Sequence, residues 1–462
     1  MPSARNASTM ARPMPDAAPV TTATRPSRSS NTCAPLPPAS PLDRRRRDRR
    51  PRPSGSSGRD APDYRPAMAG PLEGIRIVDL SVALTGPLAA GMLVDQGAEC
   101  VKVEQAPIGD VCRWLGSSVG GISAMFQAAN RGKRSVVLDL RQDEGRAILM
   151  DLVAEADVVV QNFRPGVAER LGVTYADVAA VCPDVVYADL TGFGPDGPYS
   201  HRRVYDTVIQ GHSGLAASQT GTGDKDPKFL KHLVCDKVTA YTACQAITAA
   251  LFARQRGDGG QHLELSMLDA SIAYLFVDGA DHEVMLDGHH AGPQSVAANN
   301  TPFAFDGGFA AIAVPRDAEF HGLTRALGVD SSDPDLATVT DRTRHRDKTM
   351  AIHRQVRDNA TRMSIEEGAA RLEENQVPFG IVREVHEVPD DPQVVHNEVL
   401  SEFEHPAAGR IRHHRPPARF HGTPIDFDDP CAPTLGQHTD EVVAETGRGD
   451  RLTELREAGV VG

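Results

Sequence analysis

The chain has 462 residues, with 49 Lys and Arg against 62 Asp and Glu, a formal net charge of −13 at pH 7. This length is enough for two or three domains, and 40 % hydrophobic with 24 % charged residues is ordinary for a globular protein. No apolar run reaches the roughly 18 residues that a membrane-spanning helix needs, and the acidic total argues against non-specific binding of nucleic acid. We therefore expect neither a membrane nor a nucleic acid as a partner.

Residues 1–67 form the first predicted segment. They hold thirteen Arg against five Asp and 13 of the 34 prolines, with almost no Ile, Leu, Val or Phe. Such a segment cannot bury enough apolar surface to offset its ordering entropy, so we predict a disordered leader. Met68, where globular patterning begins, is an alternative start of the chain. A targeting signal or a nucleic-acid patch in the arginine run are the other interpretations.

From residue 74 onward, short β-branched runs alternate with longer helical stretches. The predicted strands cover 74–81, 99–105, 134–140, 156–163 and 184–194, and the predicted helices cover 86–98, 143–155 and 235–256. Nearly continuous apolar strands separated by helices indicate a parallel sheet covered on both faces. The predicted fold class is therefore α/β.

The pattern changes after residue 290. An antiparallel hairpin is predicted to turn at Asp306-Gly307-Gly308, and the less regular alternation that follows suggests a smaller α+β domain. We predict a large domain over 68–290, a small domain over 291–404 and a C-terminal segment, again helical, over 405–462.

The first strand–helix unit invites comparison with a dinucleotide-binding fold. Glu104 ends the second strand, where such folds place a ribose-binding acid. The turn, however, reads Leu84-Thr85-Gly86-Pro87-Leu88-Ala89-Ala90-Gly91 and not GxGxxG. An ordinary turn, with Pro87 starting the helix, is favoured over a nicotinamide-cofactor site.

Several cations lie in loops near predicted strand ends. Ligands of open parallel sheets bind at the carboxyl ends of the strands, so we interpret these clusters as candidate phosphate-binding groups. For any single residue the alternative is a solvated basic face. The residues are Arg113, Arg131, Lys133, Arg134, Arg141, Arg164 and Arg170, together with Asn162.

Two acids, Asp206 and Asp236, are candidates for catalysis. Asp236 falls in the first turn of the predicted 235–256 helix, where the helix dipole and free N–H groups stabilise a carboxylate, although a simple capping role is the alternative. Cys235 lacks a paired His and is interpreted as a packing residue. The seven cysteines form no CxxC pair and the 17 His show no metal-ligand spacing, so we predict no metal, no permanently bound cofactor and a reducing, cytoplasmic location.

Taken together and in order, these segments resemble the class III CoA-transferases, the family named for carnitine CoA-transferase and bile-acid-inducible proteins. The resemblance covers about residues 70–462. It is carried by PLEGIRIVDLSVALTGPLAAGMLVDQGAECVKVE, NRGKRSVVLDL, VVQNFRPGVAERLG, LTGFGPDGPYSHRRVYDTVIQG, ALFARQRGDGGQHLELSMLDA and the ending HTDEVVAETG…LREAGVV.

The resemblance implies a Rossmann-like large domain to which the C-terminal segment returns, and two chains interlocked as linked rings. It implies a CoA thioester as substrate, Asp236 as the catalytic acid in LVCDK, and Asp206 as an orienting carboxylate. The residues expected near the coenzyme are Ala83, Leu84, Gln105, Leu138, Arg141, Asn162, Phe163, Arg170 and Arg203.

The chemistry that the resemblance implies suits an aspartate. A carboxylate with an ordinary pKa near ~4 is ionised at pH 7 and attacks a thioester without a base. We expect a mixed anhydride, then an aspartyl-CoA thioester, then the reverse steps with an acceptor carboxylate. Backbone N–H groups at the helix start are expected to stabilise the oxyanions.

The sequence departs from the family pattern at several positions, and alternative functions remain open. Racemases of the family carry a His before the first acid, and Tyr205 stands there, which favours transfer over racemisation. The glycine-rich loop of family transferases corresponds to 287–300, which holds only Gly288 and Gly292. Leu84 and Gln105 replace a Gln and an Arg of the formyl-CoA enzyme, which disfavours formyl-CoA and oxalate. A non-catalytic CoA- or NAD-binding protein is the remaining alternative.

Overall fold

The secondary structure comes from a computed structural model that describes residues 70–220, 226–287, 300–425 and 430–462. The predicted leader over 1–67 and most of the 287–300 segment lie outside the described residues. The strands are β1 (Arg76–Asp79), β2 (Glu99–Glu104), β3 (Ser118–Val119), β4 (Ile122–Ser123), β5 (Arg134–Val137), β6 (Val158–Gln161), β7 (Val186–Thr191), β8 (Gln261–Ser266), β9 (Phe303–Phe305), β10 (Gly308–Ile312), β11 (Phe379–Ile381), β12 (Leu400–His405) and β13 (Gly409–His414).

The α-helices follow the same chain order. They are α1 (Thr85–Val94), α2 (Ala124–Asn130), α3 (Asp143–Ala154), α4 (Val167–Leu171), α5 (Tyr175–Val181), α6 (Asp206–His212), α7 (Leu215–Ser218), α8 (Val234–Ala253), α9 (Met267–Leu275), α10 (Asp281–Val284), α11 (Asp317–Ala326), α12 (Val339–Arg344), α13 (Arg346–Ala360), α14 (Ile365–Glu374), α15 (Pro392–His396), α16 (Thr439–Glu445) and α17 (Leu452–Glu457). No helix among these is long and apolar enough to cross a membrane.

Six strands form one parallel sheet in the order β5-β2-β1-β6-β7-β8. Counted along the chain within this sheet, the order is 3-2-1-4-5-6, which is that of doubly wound nucleotide-binding sheets. The chain reverses its direction of winding between β1 and β6, and ligands of such sheets bind at the carboxyl ends of the strands at this point. The predicted α/β class is confirmed.

Both faces of the sheet are covered, as the apolar strands predict. Along β6, Val158 and Val160 pack against α1 and α8, whereas Val159 packs against the opposite core with α3 and α5. This alternation follows from the two-residue period of a strand, and burial on both faces explains why the strand reads as a continuous apolar run. The α-helix α8 ends at Ala253, three residues before the prediction, and continues directly into a π-helical turn over Arg254–Asp258 that contains Gly257 at φ 100°.

A separate antiparallel sheet, β11-β10-β9, lies later in the chain. Its hairpin pairs Phe305 with Gly308 and turns through Asp306 and Gly307, which confirms the predicted turn. Its core is built from residues between Phe303 and Ile381 alone. The domain boundaries at 290 and 404 stay predictions.

The last residues of the chain pack against β5, the edge strand of the large sheet. His438 donates its backbone N–H to Ser135 O at 2.9 Å, and Asp139 donates its own to Val460 O at 2.9 Å. Val443 of α16 lies fully buried in the same core as α3 and α5. Residues distant in sequence therefore protect an otherwise open sheet edge.

This packing predicts that the C-terminal helices contribute to the stability of the large sheet. Val443→Ala removes two buried methyl groups and is expected to lower the free energy of unfolding by about 2–3 kcal/mol. Val385→Ala, at a residue that is 87 % exposed, is the matched control and is expected to change it by less than about 0.5 kcal/mol. Urea denaturation measures both; equal effects would contradict the assignment of α16 to this core.

Candidate active site

The turn between β1 and α1 is held by side chains from neighbouring loops. Val82 donates its N–H to Asn162 Oδ1 at 2.9 Å, and Asn162 Nδ2 donates back to Val82 O at 2.7 Å. Ala83 donates its N–H to Asp110 Oδ1 at 3.0 Å. Ala83 has φ 67°, a left-handed conformation that costs a non-glycine residue roughly 1–2 kcal/mol. These hydrogen bonds offset that strain and fix the path by which the chain enters α1.

Buried charges lie directly beneath this turn. Lys102 pairs with Asp110 at 2.9 Å, lies 3.8 Å from Asp79 and donates to Ser81 O at 2.9 Å. Lys133 pairs with Asp79 at 2.8 Å. Burial by itself would raise the pKa of Asp79, but Lys133 and Lys102 outweigh it and hold that pKa below its ordinary value. The turn is thus anchored to charges that stay ionised inside the protein.

A second buried pair continues this network. Arg113 contacts both carboxylate oxygens of Glu104, at 2.6 and 2.9 Å, and its guanidinium lies 3.8 Å over the ring of Phe126. Glu104 Oε2 also accepts the N–H of Asp110 at 2.8 Å. Three carboxylates and three cations therefore balance one another: Asp79, Glu104, Asp110, Lys102, Arg113 and Lys133. We refer to these six residues as the buried charge network.

The interpretation of the basic clusters as phosphate-binding groups is wrong for four residues. Arg113 and Lys133 belong to the buried charge network, Arg131 is buried against Asp95, and Arg134 pairs with Glu441 and Glu445 of α16. Their charges are neutralised by carboxylates of this chain, so they are not offered to a ligand. Arg141 also pairs with a carboxylate, Asp139, but its side chain is 71 % exposed.

The two candidate acids come together at the start of α8. Asp236 lies in the first turn of α8, and Asp206 is the first residue of α6. Asp206 Oδ2 accepts the backbone N–H of Asp236 at 3.1 Å. Leu233, the N-cap residue of α8, has no side-chain acceptor, so Asp206 performs the capping role from another helix.

Gln210 links Asp206 to the chain that enters α8. Its Nε2 donates to Asp206 Oδ1 at 2.6 Å and to His232 O at 3.1 Å, while its Oε1 accepts the N–H of Leu230 at 2.9 Å. The amide therefore holds the carboxylate and the incoming chain in one arrangement. Gln210 was not predicted from the sequence, although its spacing of four residues from Asp206 on one helix was the available signal.

Thr85, the first residue of α1, completes the surroundings of Asp236. Its hydroxyl donates to Asp236 Oδ1, so the starts of α1 and α8 meet at this carboxylate. Burial, opposed by the Thr85 hydrogen bond and reinforced by the negative charge of Asp206, raises the pKa of Asp236 to about 6. The expectation of an ordinary pKa near ~4 is corrected, although the carboxylate form still predominates at pH 7.

Cys235 does not compete as a nucleophile. It is fully buried among Ile209, Leu215 and Met267, and burial raises the pKa of its thiol to about 11. The interpretation of Cys235 as a packing residue is confirmed. Among the residues that the structure describes, no group of three or more His, Cys, Asp or Glu side chains could hold a metal ion.

A cleft of about 190 Å³ opens beside the β1–α1 turn, at the carboxyl ends of β1, β2, β5 and β6. Four of the residues expected near the coenzyme line it: Gln105, Leu138, Arg141 and Phe163. Ala83, Leu84 and Asn162 build the adjacent turn. Arg170 and Arg203 are exposed and do not line this cleft, although Leu171, the neighbour of Arg170, does.

Comparison with known proteins identifies the family of the chain. The family model described as CoA-transferase family III matches residues 72–439. The succinate–glutarate CoA-transferase of Agrobacterium fabrum is 32 % identical over 399 residues, which is 84 % of this chain and 97 % of that protein. Human succinyl-CoA:glutarate CoA-transferase is 30 % identical over 405 residues, 85 % and 90 % of the two chains.

A solved structure shows the same likeness. The crystal structure of a CAIB/BAIF family protein from Brucella suis has a TM-score of 0.69 and 31 % identity, and covers 82 % of this chain and 100 % of that one. The family is shown by the family model over residues 72–439 and by the relatives that match most of the chain. The chain belongs to CoA-transferase family III. It is an enzyme that moves CoA from an acyl-CoA to a carboxylic acid.

The buried charge network predicts a large effect when one cation is removed. Lys102→Met removes a cation that balances the negative charges of the buried Asp79 and Asp110. It is expected to lower the free energy of unfolding by about 3–5 kcal/mol. Lys348→Met, which breaks exposed ion pairs with Asp333 and Asp335, is the matched control and is expected to lower the free energy of unfolding far less, because exposed ion pairs are screened by solvent. Urea denaturation measures the two; similar losses would show that the network does not support the fold.

The raised pKa of Asp236 predicts a pH-dependent cost to stability. The folded state holds this proton up to about pH 6 and the unfolded state releases it near pH 4, so ionisation destabilises the fold as pH rises through this window. Asp236→Asn keeps an acceptor for Thr85 and removes the charge. It is expected to be more stable than the wild type at pH 8, on the order of 1–2 kcal/mol, and this difference is expected to shrink as pH falls and to vanish only below about pH 4. A less stable variant at pH 8 would contradict this account.

Proposed function

We propose that Asp236 is the nucleophile of the transfer reaction and that CoA leaves and returns through an aspartyl anhydride and an aspartyl-CoA thioester. The observation that carries this proposal is the orientation of one carboxylate. The Thr85 hydroxyl donates a hydrogen bond to Oδ1 of Asp236, and the backbone N–H of Asp236 donates to Asp206. Oδ2 of Asp236 forms no hydrogen bond to the described residues. One oxygen is therefore anchored while the other is available to attack.

The steps need no external base. Oδ2 attacks the thioester carbon of the acyl-CoA, and the carbon–sulfur bond breaks with its electron pair leaving as CoA thiolate. The thiolate then attacks Cγ of Asp236 and expels the donor acid, which leaves an aspartyl-CoA thioester. An acceptor carboxylate reverses the two steps. Retention of the thiolate beside the anhydride supplies effective concentration that a reaction in free solution lacks.

Asp206 acts in this proposal as a positioning residue. Its two oxygens are occupied by Gln210 and by the N–H of Asp236, and it is only 2 % exposed. It therefore lacks a free oxygen for attack. Its negative charge nevertheless contributes to the raised pKa of Asp236, which makes that carboxylate more basic than an exposed aspartate.

The coenzyme is proposed to occupy the cleft beside the β1–α1 turn. Gln105, Leu138, Arg141 and Phe163 line this cleft, and Arg141 presents an exposed guanidinium at its edge. Contacts to Arg170 and Arg203 stay predictions. As acyl group and acceptor we propose dicarboxylic acids, because both relatives described above are named for succinate or succinyl-CoA and glutarate.

We further propose a homodimer, interlocked as the family resemblance implies, and a cytoplasmic location. Large apolar side chains are exposed on the single chain, among them Tyr205, Phe252 and Val277, and a second copy would cover such surface. Five cysteines in the described part of the chain are free thiols, which supports a reducing compartment: Cys100, Cys112, Cys182, Cys235 and Cys244.

The decisive experiment traps the covalent enzyme. Incubation with succinyl-CoA, glutarate and hydroxylamine is expected to convert Asp236 to a hydroxamate, located by peptide mass spectrometry. Asp236→Asn is expected to lower turnover by at least about 10⁴-fold, because the amide is not a nucleophile.

Asp269→Asn is the matched control for this experiment. Asp269 is the third residue of α9, as Asp236 is of α8. Its backbone N–H donates a hydrogen bond to the Ser266 hydroxyl, whereas that of Asp236 donates to a second acid. This variant is expected to keep turnover within about threefold of the wild type. Full turnover by Asp236→Asn, or a hydroxamate on another residue, would overturn the proposal; deuterium exchange at the α-carbon without an acceptor acid would indicate racemisation instead.

A further inference from the structure

The hydrogen bond from Thr85 joins two parts of the chain that are 151 residues apart, and it is the one side-chain hydrogen bond to the Asp236 carboxylate among the described residues. Thr85 is 4 % exposed and is the first residue of α1. From the sequence, Thr85 was predicted only to be part of a strand–helix turn. Its placement against the reacting carboxylate gives it a chemical role.

We propose that the Thr85 hydroxyl determines which oxygen of Asp236 attacks and then stabilises the aspartyl carbonyl through both covalent intermediates. This inference rests on the proposed function, since it assigns a role within the same reaction. It makes Thr85 a catalytic residue, because its hydroxyl contacts a reacting atom in every step.

The bond changes show why one hydroxyl serves each step. When Oδ2 attacks the thioester carbon and the CoA thiolate leaves, Oδ1 becomes the carbonyl oxygen of the anhydride and still accepts from Thr85. When the thiolate adds to Cγ, the carbonyl electron pair moves onto Oδ1, which then carries a full negative charge beside the hydroxyl. The pair returns as the Cγ–Oδ2 bond breaks and the donor acid leaves. Thr85 keeps its proton throughout.

The turn holds this hydroxyl in place before the reaction begins. A side chain on Gly86 would lie 2.3 Å from Ser81, and Lys133 donates to Pro87 O at 2.8 Å while pairing with Asp79. The backbone at Thr85 is thus tied to the buried charge network. Because Thr is β-branched, its χ1 rotation is also restricted, so little reorganisation is needed when charge develops on Oδ1.

The same hydrogen bond affects the charge state of Asp236 before attack. Burial and Asp206 favour the protonated carboxyl, whereas the Thr85 hydroxyl favours the carboxylate. Removal of the hydroxyl therefore moves the pKa of Asp236 further upward and lowers the ionised fraction at neutral pH. A residue with a merely structural role would not change this titration.

The test compares two substitutions at Thr85. Thr85→Val replaces the hydroxyl by a methyl group of similar size and is expected to lower kcat by about 10²–10³-fold, the effect of losing one oxyanion donor. KM for the acyl-CoA is expected to change by less than about threefold, because the hydroxyl contacts the enzyme's own carboxylate. The acid limb of the kcat/KM profile is expected to move about one pH unit upward. Thr85→Ser keeps the hydroxyl and is expected to retain kcat within about fivefold and the wild-type pH profile.

Thr239→Val is the matched control. Thr239 lies one turn after Asp236 on α8, is fully buried, and donates its hydroxyl to Cys235 O at 2.7 Å without contacting the carboxylate. Its loss is expected to leave the pH profile unchanged. If Thr85→Val does not fold, Thr85→Ala provides the same measurement without a second methyl group.

Each outcome separates this inference from the proposed function. Wild-type kcat and pH profile in Thr85→Val, with Asp236→Asn inactive, would overturn the role of Thr85 and leave the nucleophile intact. Thr85→Ser as inactive as Thr85→Val would overturn it as well, because packing and not the hydroxyl would then matter. Activity in Asp236→Asn would overturn the proposed function itself.

Discussion

The site depends on the pairing of buried charges beneath the β1–α1 turn. Lys102 and Lys133 bind the Asp79 and Asp110 side chains in a region with almost no access to water, where an unpaired charge would cost several kcal/mol. The requirement that every charge be compensated leaves few arrangements of β1, β2 and the loops around them. The backbone of Ser81, Ala83 and Pro87 is bound directly by members of this network. The position of α1, and with it the Thr85 hydroxyl, follows from that constraint.

The acid at the start of α8 shows how stability and reactivity oppose each other. Burial and the nearby charge of Asp206 make the ionised form of Asp236 unfavourable, which weakens the fold above pH 6 but leaves a more basic carboxylate. The surrounding structure tolerates this cost because Asp206 and Gln210 are themselves fully engaged in hydrogen bonds. Ionisation of a carboxylate in water costs less free energy than ionisation of a buried one. The surrounding solvent, however, would have to reorganise during attack.

The secondary structure could be predicted from local patterns, whereas the candidate site depends on contacts between distant segments. Strands such as Val158–Gln161 are buried on both faces, so their apolar runs are visible locally, and the hairpin through Asp306 and Gly307 carries its own turn residues. Asp206 and Asp236 were singled out as candidate acids from their local sequence, and the family resemblance implied their separate roles. Arg113, Arg131, Lys133 and Arg134 were misread, because a cation that binds phosphate and one that binds a carboxylate of its own chain look alike in sequence. The contacts of Gln210 and Thr85 with the two acids could not be predicted, since they join the acids to partners from other segments.

The sequence alone determined the α/β class, the positions of the strands and the family, because apolar periodicity and contiguous motifs are local properties of the chain. Only the tertiary structure decided which cations pair with carboxylates of this chain and which oxygen of Asp236 accepts a hydrogen bond from Thr85. Those properties depend on contacts such as that between Thr85 and Asp236, 151 residues apart, and on the loss of water around them. A contact between residues so far apart cannot be predicted from spacing or composition, because it forms only when the folded sheet brings the starts of α1 and α8 together.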